Sequence, residues 1–221
     1  MPNGAAMRDN GRMTKRAKQP MSPITMVLLL ALCALLCTAG WLGWVYVGSN
    51  LLGQSRQASA LDEARQAVST VADEESRPAA GEAAWVLEIS GTSFAVLGGT
   101  DAHALSRGVG WYPATGLPGE AGNVVLAGHR YADGKPFAGL LTLRVGDEVV
   151  LETKVARYTY AVRVPASELT VAATDGWVLD AVPGHDFDPH EQLLTLTTQQ
   201  DLVPTADRAV AFAALIKEEK K

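Results

Sequence analysis

The chain has 221 residues, of which 48% are hydrophobic and 19% are charged, and its formal net charge at pH 7 is −5. This length and composition support one folded domain with appendages rather than two independent cores. The acidic balance excludes nucleic acid as an expected partner, because binding to phosphates requires a basic face.

A basic tail at residues 1–23 is followed by an apolar span at residues 24–47. The span contains no Asp, Glu, Lys, Arg or His. A helix of that length rises about 36 Å, which exceeds the roughly 30 Å hydrocarbon core of a bilayer. A cleaved signal peptide is the alternative, but its apolar region is usually only about 7 to 15 residues long. We therefore predict an uncleaved transmembrane anchor.

The charges on either side of this span predict its orientation. The tail carries five lysine or arginine residues against Asp9, a net charge of +4, and subtracting that from the total of −5 leaves −9 for the remainder. By the positive-inside rule the tail is cytoplasmic and the rest of the chain lies outside the cell membrane. Cys33 and Cys37, the two cysteines, both lie within the span. We interpret them as small hydrophobic residues, with palmitoylation or an interchain disulfide as the alternative.

Residues 48–82 are rich in alanine, glutamate, arginine and glutamine, with Leu61, Val68 and Val71 at roughly helical spacing. This pattern predicts a loosely amphipathic helical stalk.

The hydrophobic period changes from helical to alternating in residues 83–216, which are followed by a short charged tail at residues 217–221. Glycine, proline and aspartate separate the short runs, which is typical of an all-β barrel or sandwich. The predicted strands are WVLEI, SFAVL, NVVLAGH, DEVVLET, RYTYAVR, LLTLTT and RAVAFAALI.

Several motifs follow one another in this region: GWYPATGLPGEAGNVVLAGHR, then GKPFAGLLTLRVGDEVVLET, and later WVLD and LLTLTTQ. Together and in this order they resemble the motifs of the sortases, membrane-anchored cysteine transpeptidases of Gram-positive bacteria. The likeness is greatest to the housekeeping types of actinobacteria. The resemblance implies an all-β fold, a closed barrel of about eight strands with short helices, preceded by the transmembrane helix and the stalk.

The resemblance also implies which residues form the site. The histidine of the family's GHR motif falls on His129, and the family's arginine falls on Arg208. The signature Thr-Leu-x-Thr-Cys falls on residues 195–199, so that Thr197 and Thr198 border the peptide groove and Gln199 stands where the nucleophilic cysteine is expected. Neither His129 nor Arg208 would be assigned a catalytic role from its local sequence alone.

The glutamine matters because of what transpeptidation requires. In the family, a thiolate attacks the Thr-Gly bond of a sorting signal, the histidine protonates the departing amine, and the arginine stabilises the oxyanion. A glutamine amide can neither attack a carbonyl nor leave afterwards. Thr198 is expected to point to the opposite face of the strand, and Thr197 lies about 6.6 Å back along it without an evident activating base.

A polar segment, HDFDPHE, precedes the last of these motifs and contains His185, Asp186, Asp188, His190 and Glu191. A metal ion could be held by such side chains, but the spacing is irregular, and turn chemistry around Pro189 accounts for the composition. We therefore predict no metal and no cofactor.

Two classes of function remain open from the sequence. The first is a catalytically silent sortase-like module that binds a sorting-signal-like peptide or a surface protein and is attached to the membrane through residues 24–47. The second is an active sortase, either one in which Gln199 is an engineered or erroneous substitution or one that uses another nucleophile.

Overall fold

The computed structural model describes residues 22–44, 49–184, 187–203 and 205–221. The chain divides into two compact units, one ending at Trp41 and the other beginning at Leu42. The helix α1 (Pro23–Gly43) lies in the first unit except for its last two residues. It is long and apolar enough to cross a membrane, and none of its side chains is buried. The predicted span continues to residue 47, and its last three residues lie outside the described part of the chain.

The second unit is built around a β-barrel. Eight strands hydrogen-bond in the closed order β6-β5-β1-β2-β3-β4-β8-β9, and β9 pairs back with β6, while β7 adds to the outside of β9. The predicted closed barrel of about eight strands is therefore confirmed. The strands are β1 (Ala83–Ile89), β2 (Thr92–Gly98), β3 (Val109–Trp111), β4 (Gly122–Ala127), β5 (Glu148–Glu152), β6 (Ala156–Val164), β7 (Thr170–Ala172), β8 (Gln192–Gln199) and β9 (Asp207–Lys220).

Seven of these strands coincide with the predicted hydrophobic runs. β3 and β7 were not predicted, because three residues are too few to show an alternating pattern. β9 is longer than its apolar run and includes residues 217–220, which we had assigned to a charged tail. Those residues pair with the first residues of β6, where Lys220 lies opposite Ala156.

Strand alternation separates the barrel interior from its outer face. On β8, Leu194 and Leu196 point into the main core, as do Val124 and Leu126 on the neighbouring strand β4. Aromatic rings fill the same interior. Trp85 packs edge-to-face on Trp111 there, with ring centroids 5.4 Å apart. Residues at the intervening positions of β4, β8 and β9 face outward, and the candidate site lies on that outer face.

A helix, α2 (Ser49–Ser69), occupies most of the region predicted as a stalk. Ala60, Ala64 and Val68 recur at helical spacing and are buried against β1 and β2, where Val86 and Leu97 are among their neighbours. α2 is therefore packed on the barrel along one face. The short helix α3 (Ala102–Arg107) lies beside it, and Arg107 forms an ion pair with Glu63 on α2.

Candidate functional site

β8 brings the predicted site residues together because it lies between β4 and β9. It runs parallel to β4, with Ala127 opposite Thr197, and antiparallel to β9, with Gln199 opposite Arg208. Directly opposed residues in an antiparallel pair have Cα atoms about 4.5–5.5 Å apart, so Gln199 and Arg208 are immediate neighbours.

The two threonines of the motif lie on different faces of β8. Thr197 belongs to the same alternating row as Gln199, on the outer face. Thr198 belongs to the inward row, and its hydroxyl donates a hydrogen bond of 2.7 Å to the carbonyl oxygen of Gly128. That bond ties β8 to the residue immediately before His129. Both threonines are buried, with exposed fractions of 7% and 3%.

His129 follows β4 directly and is paired with an acidic residue. Its Nδ1 lies 2.9 Å from Oδ2 of Asp133, and both side chains are about one-fifth exposed. When the imidazole is neutral, this partner favours the tautomer with the proton on Nδ1, which leaves Nε2 as an acceptor. When the imidazole is protonated, the contact is an ion pair and Nε2 becomes a donor.

The position of His129 relative to Gln199 is supported by its neighbour in the chain. Arg130 donates a 2.7 Å hydrogen bond from Nη1 to the carbonyl oxygen of Gln200, which directly follows Gln199. The amide of Gly128 donates to the carbonyl oxygen of Thr197 at 3.2 Å. The histidine is therefore flanked on both sides by bonds to β8 or its end.

Arg208 is only partly engaged by the protein. Its Nη1 donates to the carbonyl oxygens of Thr205 and Asp207 at 2.9 and 3.0 Å. In the described part of the chain, Nε and Nη2 have no hydrogen-bond partner. The guanidinium group therefore keeps donors that can bind the oxygen of a carbonyl or carboxylate.

One wall of the site is formed by the segment that carries β7 and the 3-10 turn Gly176–Leu179. Val171 and Val178 from this segment pack against Val210 and Phe212 on the outer face of β9. This second apolar cluster is separate from the barrel core, and it places β7 and the turn beside Arg208.

A buried asparagine fastens this wall to the barrel. Asn123 on β4 is 1% exposed, and its Nδ2 donates to the carbonyl oxygens of Val178 and Asp180 at 3.0 Å each. Its Oδ1 accepts a 2.7 Å hydrogen bond from the hydroxyl of Thr195 on β8. Every polar atom of the Asn123 side chain is thus used between β4, β8 and the turn.

These elements enclose a cavity of about 310 Å³ on the outer face. All five residues predicted for the site line it: His129, Thr197, Thr198, Gln199 and Arg208. Further lining is mixed, with apolar residues such as Leu105 and Val171 and polar ones such as Tyr112 and Asp175. Gln199 contributes an amide to this lining, and an amide is not a nucleophile.

The polar HDFDPHE segment does not line the cavity as far as it is described, but its Phe187 packs edge-to-face on Phe212 of the second apolar cluster, with ring centroids 5.4 Å apart. His185 and Asp186 lie outside the described residues. The remaining part is a turn in which Asp188 accepts from the amide of His190 and Glu191 contacts Arg163 at 3.3 Å. Among the described residues, no group of three or more histidine, cysteine or acidic side chains is arranged to hold a metal ion.

The sequence did not predict that Asp133, Asn123 and the wall at residues 170–180 belong to the site. Asp133 lies four residues after His129 in an Asp-Gly turn. That spacing is the one signal in the sequence that could have suggested contact between the Asp133 carboxylate and the His129 imidazole. The role of Asn123 depends on contacts with residues more than fifty positions away, and no local pattern reveals it.

The chain is similar in sequence to known proteins, and the similarity covers the barrel and the cavity residues. A sortase domain model matches residues 86–216. Sortase SrtE1 of Streptomyces coelicolor is 28% identical over 238 residues, covering 98% of this chain and 65% of the relative. Sortase D of Bacillus subtilis is 34% identical over 88 residues, covering 39% of this chain and 43% of the relative. The chain thus spans less than two thirds of the length of either relative.

Solved structures agree with this comparison. Sortase E from Streptomyces avermitilis is 31% identical, with a TM-score of 0.58, and the match covers 64% of this chain and 93% of that one. SrtF from Corynebacterium diphtheriae is 28% identical, with a TM-score of 0.61, and the match covers 68% and 93%. The sortase domain model matches more than half of this chain, and the chain forms a closed barrel of the same fold. The chain therefore belongs to the sortase family.

Proposed function

We propose that this protein is a catalytically silent sortase module that binds a peptide in the cavity at the end of β8. The observation that carries the proposal is the pairing of Gln199 with Arg208 in a cavity that also contains His129. His129 and Arg208, which we propose bind and polarise a peptide carbonyl, both line the cavity, while the side chain at the expected nucleophile position is an amide.

No other residue supplies the missing thiol. Both cysteines of the sequence, Cys33 and Cys37, lie in α1. Thr197 shares the outer face with Gln199, but among the described residues its hydroxyl makes no hydrogen bond that would activate it as a nucleophile. Among the described residues that line this cavity there is therefore no thiolate for acyl transfer through a covalent intermediate.

Peptide binding is the function that remains for such a site. The unused donors of Arg208 match a peptide carbonyl, and the mixed lining of the cavity suits an extended segment with small side chains. Sortase E1 from Streptomyces coelicolor has been solved with a tripeptide in the active site, so sorting-signal peptides are the first ligands to test.

The proposed cellular place is the outer side of the membrane. α1 would anchor the chain, and the basic tail that precedes it would remain in the cytoplasm. The barrel would then meet surface proteins as they leave the membrane with their sorting signals.

Binding of a fluorescent sorting-signal peptide to the full chain in detergent tests the proposal. We expect saturable binding, no cleavage, and at least tenfold weaker binding for Arg208→Ala, because a charge-assisted hydrogen bond contributes roughly 1.5–3 kcal/mol. Arg144→Ala is the matched control, since Arg144 is an exposed arginine outside the cavity. Equal affinity of all three proteins would contradict a peptide site at Arg208, and cleavage by the unmodified chain would favour the alternative of an active enzyme.

A further inference from the structure

The helix α2 contacts the loop that carries the partner of His129. This loop, residues 129–137, is referred to below as the histidine loop. Gly53 on α2 is buried against it, and a Cβ atom built on Gly53 would lie only 2.6 Å from both Cα of Asp133 and the amide nitrogen of Gly134. Real Cβ contacts are never this short, so the helix and the loop can approach this closely only because residue 53 is a glycine.

A side chain one turn further along α2 binds the same loop. Gln57 donates a 2.8 Å hydrogen bond from Nε2 to the carbonyl oxygen of Asp133. Its Oε1 would lie 2.6 Å from a Cβ atom on Gly134, so the loop is also shaped to accommodate the Gln57 side chain. The contact joins residues 76 positions apart in the sequence.

The histidine loop has a backbone conformation that needs such support. Asp133, Gly134 and Lys135 have φ angles of 49°, 77° and 56°, three consecutive residues in the left-handed region. For residues other than glycine this region is unfavourable, and such a conformation persists only where surrounding contacts hold it. The contacts from α2 fall on the first two of these residues.

We propose that α2 is a positioning element for the site, in which Gly53 and Gln57 hold Asp133 so that its carboxylate meets Nδ1 of His129. The chain of contacts is continuous: Gln57 to the Asp133 carbonyl, and the Asp133 carboxylate to His129 at 2.9 Å. Gln57 acts through Asp133 and does not line the cavity. The inference rests on the proposed function in one respect, since it concerns the histidine of the proposed peptide site.

The consequence for His129 is the choice of tautomer. With Asp133 in place, the Nδ1 proton is held by the carboxylate, and Nε2 is the acceptor in the neutral imidazole. If Asp133 moves away, that preference disappears and both tautomers are populated. A residue that does not line the cavity would then change which ring nitrogen of His129 can accept a proton.

The experiment uses the full chain in detergent, labelled with ¹⁵N-histidine, and compares Gln57→Ala with Gln66→Ala. Gln66 is an exposed glutamine on the same helix, so its replacement controls for the change in helix propensity. The ring ¹⁵N shifts of His129 report the tautomer, and its signals are assigned as those lost in His129→Ala. Amide hydrogen exchange of the histidine loop is measured on the same proteins.

We expect Gln57→Ala to shift the His129 ring signals toward a mixture of tautomers. We also expect it to raise exchange in the histidine loop about fivefold, the equivalent of one hydrogen bond of about 1 kcal/mol. Gln66→Ala should match the unmodified chain in both readouts. The isosteric Gln57→Glu, which loses the donor but keeps the shape, should behave like Gln57→Ala.

The inference fails if Gln57→Ala and Gln66→Ala give the same His129 signals and the same loop exchange. A Gln57→Glu variant indistinguishable from the unmodified chain would also overturn it, since the hydrogen bond would then have no role. Both readouts are made without peptide, so failure of peptide binding would refute the proposed function while leaving this test intact.

Discussion

Single side chains decide what this cavity can do. Gln199 and Arg208 face each other across β8 and β9, and the residues that set the strand register lie elsewhere along the two strands. A change at residue 199 therefore alters the chemistry of the cavity with little effect on its shape.

Gln199→Cys should create a reactive thiol. The new sulfur would lie beside the guanidinium group of Arg208, and a neighbouring cationic group favours the thiolate over the thiol. We expect faster reaction with iodoacetamide than that of Gln66→Cys on the exposed face of α2, measured by mass spectrometry of the peptide containing each residue. We also expect some cleavage of a sorting-signal peptide.

Cleavage is expected to be slow, because a misplacement of about 1 Å can reduce a rate on the order of 10²-fold. His129→Ala or Arg208→Ala added to Gln199→Cys should abolish it. A folded Gln199→Cys protein whose thiol reacts no faster than that of Gln66→Cys, and which cleaves no peptide, would contradict the silent-site proposal.

Tyr158 provides a pH-dependent prediction about stability. Burial, with a smaller contribution from Glu218, raises the pKa of Tyr158 from 10.0 to about 12. Between those values the unfolded chain loses the phenol proton and the folded chain keeps it, so the free energy of unfolding should fall as the pH rises from 10 to 12. The slope for one tyrosine approaches about 1.4 kcal/mol per pH unit.

Urea unfolding between pH 8 and pH 12 measures this dependence. Tyr158→Phe should show a shallower slope above pH 10. Some slope should remain, because burial also raises the pKa of Tyr160. The same alkaline slope in Tyr158→Phe as in the unmodified chain would show that Tyr158 titrates alike in the folded and unfolded states.

The residues of the site were predictable to different degrees. His129, Gln199 and Arg208 were assigned to the site through the resemblance to the sortases, and all three line one cavity. Asp133 was not predicted, because its contact with His129 depends on left-handed backbone angles in the loop, and the Asp-Gly pair alone does not show that the carboxylate turns back to the imidazole. Gln57 was still harder to predict, because nothing in the sequence distinguishes it from the other polar residues of the helix, and its contact with the histidine loop is visible only in the structure.

At the level of elements, the wall formed by β7 and the turn at residues 176–179 gives the cavity its depth. It is attached through the second apolar cluster and through Asn123, which lies at the junction of β4, β8 and the turn. The wall is thus held by side chains, and only three residues of it belong to the sheet.

Asn123→Ala should loosen this wall and destabilise the fold. It removes three hydrogen bonds, two of them buried and one partly buried. Each contributes about 1 kcal/mol, so we expect a loss of about 2–4 kcal/mol in the free energy of unfolding. Thr195→Val is the matched comparison, since it removes only one of the three, and its loss should be about 1–2 kcal/mol. Urea unfolding measures both variants, and equal losses would show that the bonds to the turn contribute nothing.

Elements were predicted well where a periodic pattern extends over five or more residues. β1, β6 and β8 are examples of runs that the sequence displays directly. The packing of α2 on the barrel was not predicted, because two of the three hydrophobic residues that it buries in its described part are alanines, which give a weak hydrophobic stripe. Alanine allows close approach of the helix, and that closeness is visible only once the partner surface is known.

The molecule as a whole combines an apolar helix with an acidic folded unit. The pattern of charge before and after α1 predicts that the basic tail is cytoplasmic and that the barrel is outside. Protease added to intact, wall-stripped cells should therefore digest the barrel while leaving an epitope tag before residue 1 intact. Protection of the barrel until the cells are lysed would reverse the assignment.

β9 pairs with β8 along its first part and with β6 along its second, and it is the last strand in chain order. During synthesis, β1 to β8 can all emerge while the ring is still open, and the unpaired edges of β6 and β8 can then associate with other chains. The cavity also lacks Arg208 until β9 has emerged. A chain interrupted anywhere before Asp207 would therefore lose its site and its closure together, and in the cell we expect it to be removed by proteolysis rather than to persist as a partly functional fragment.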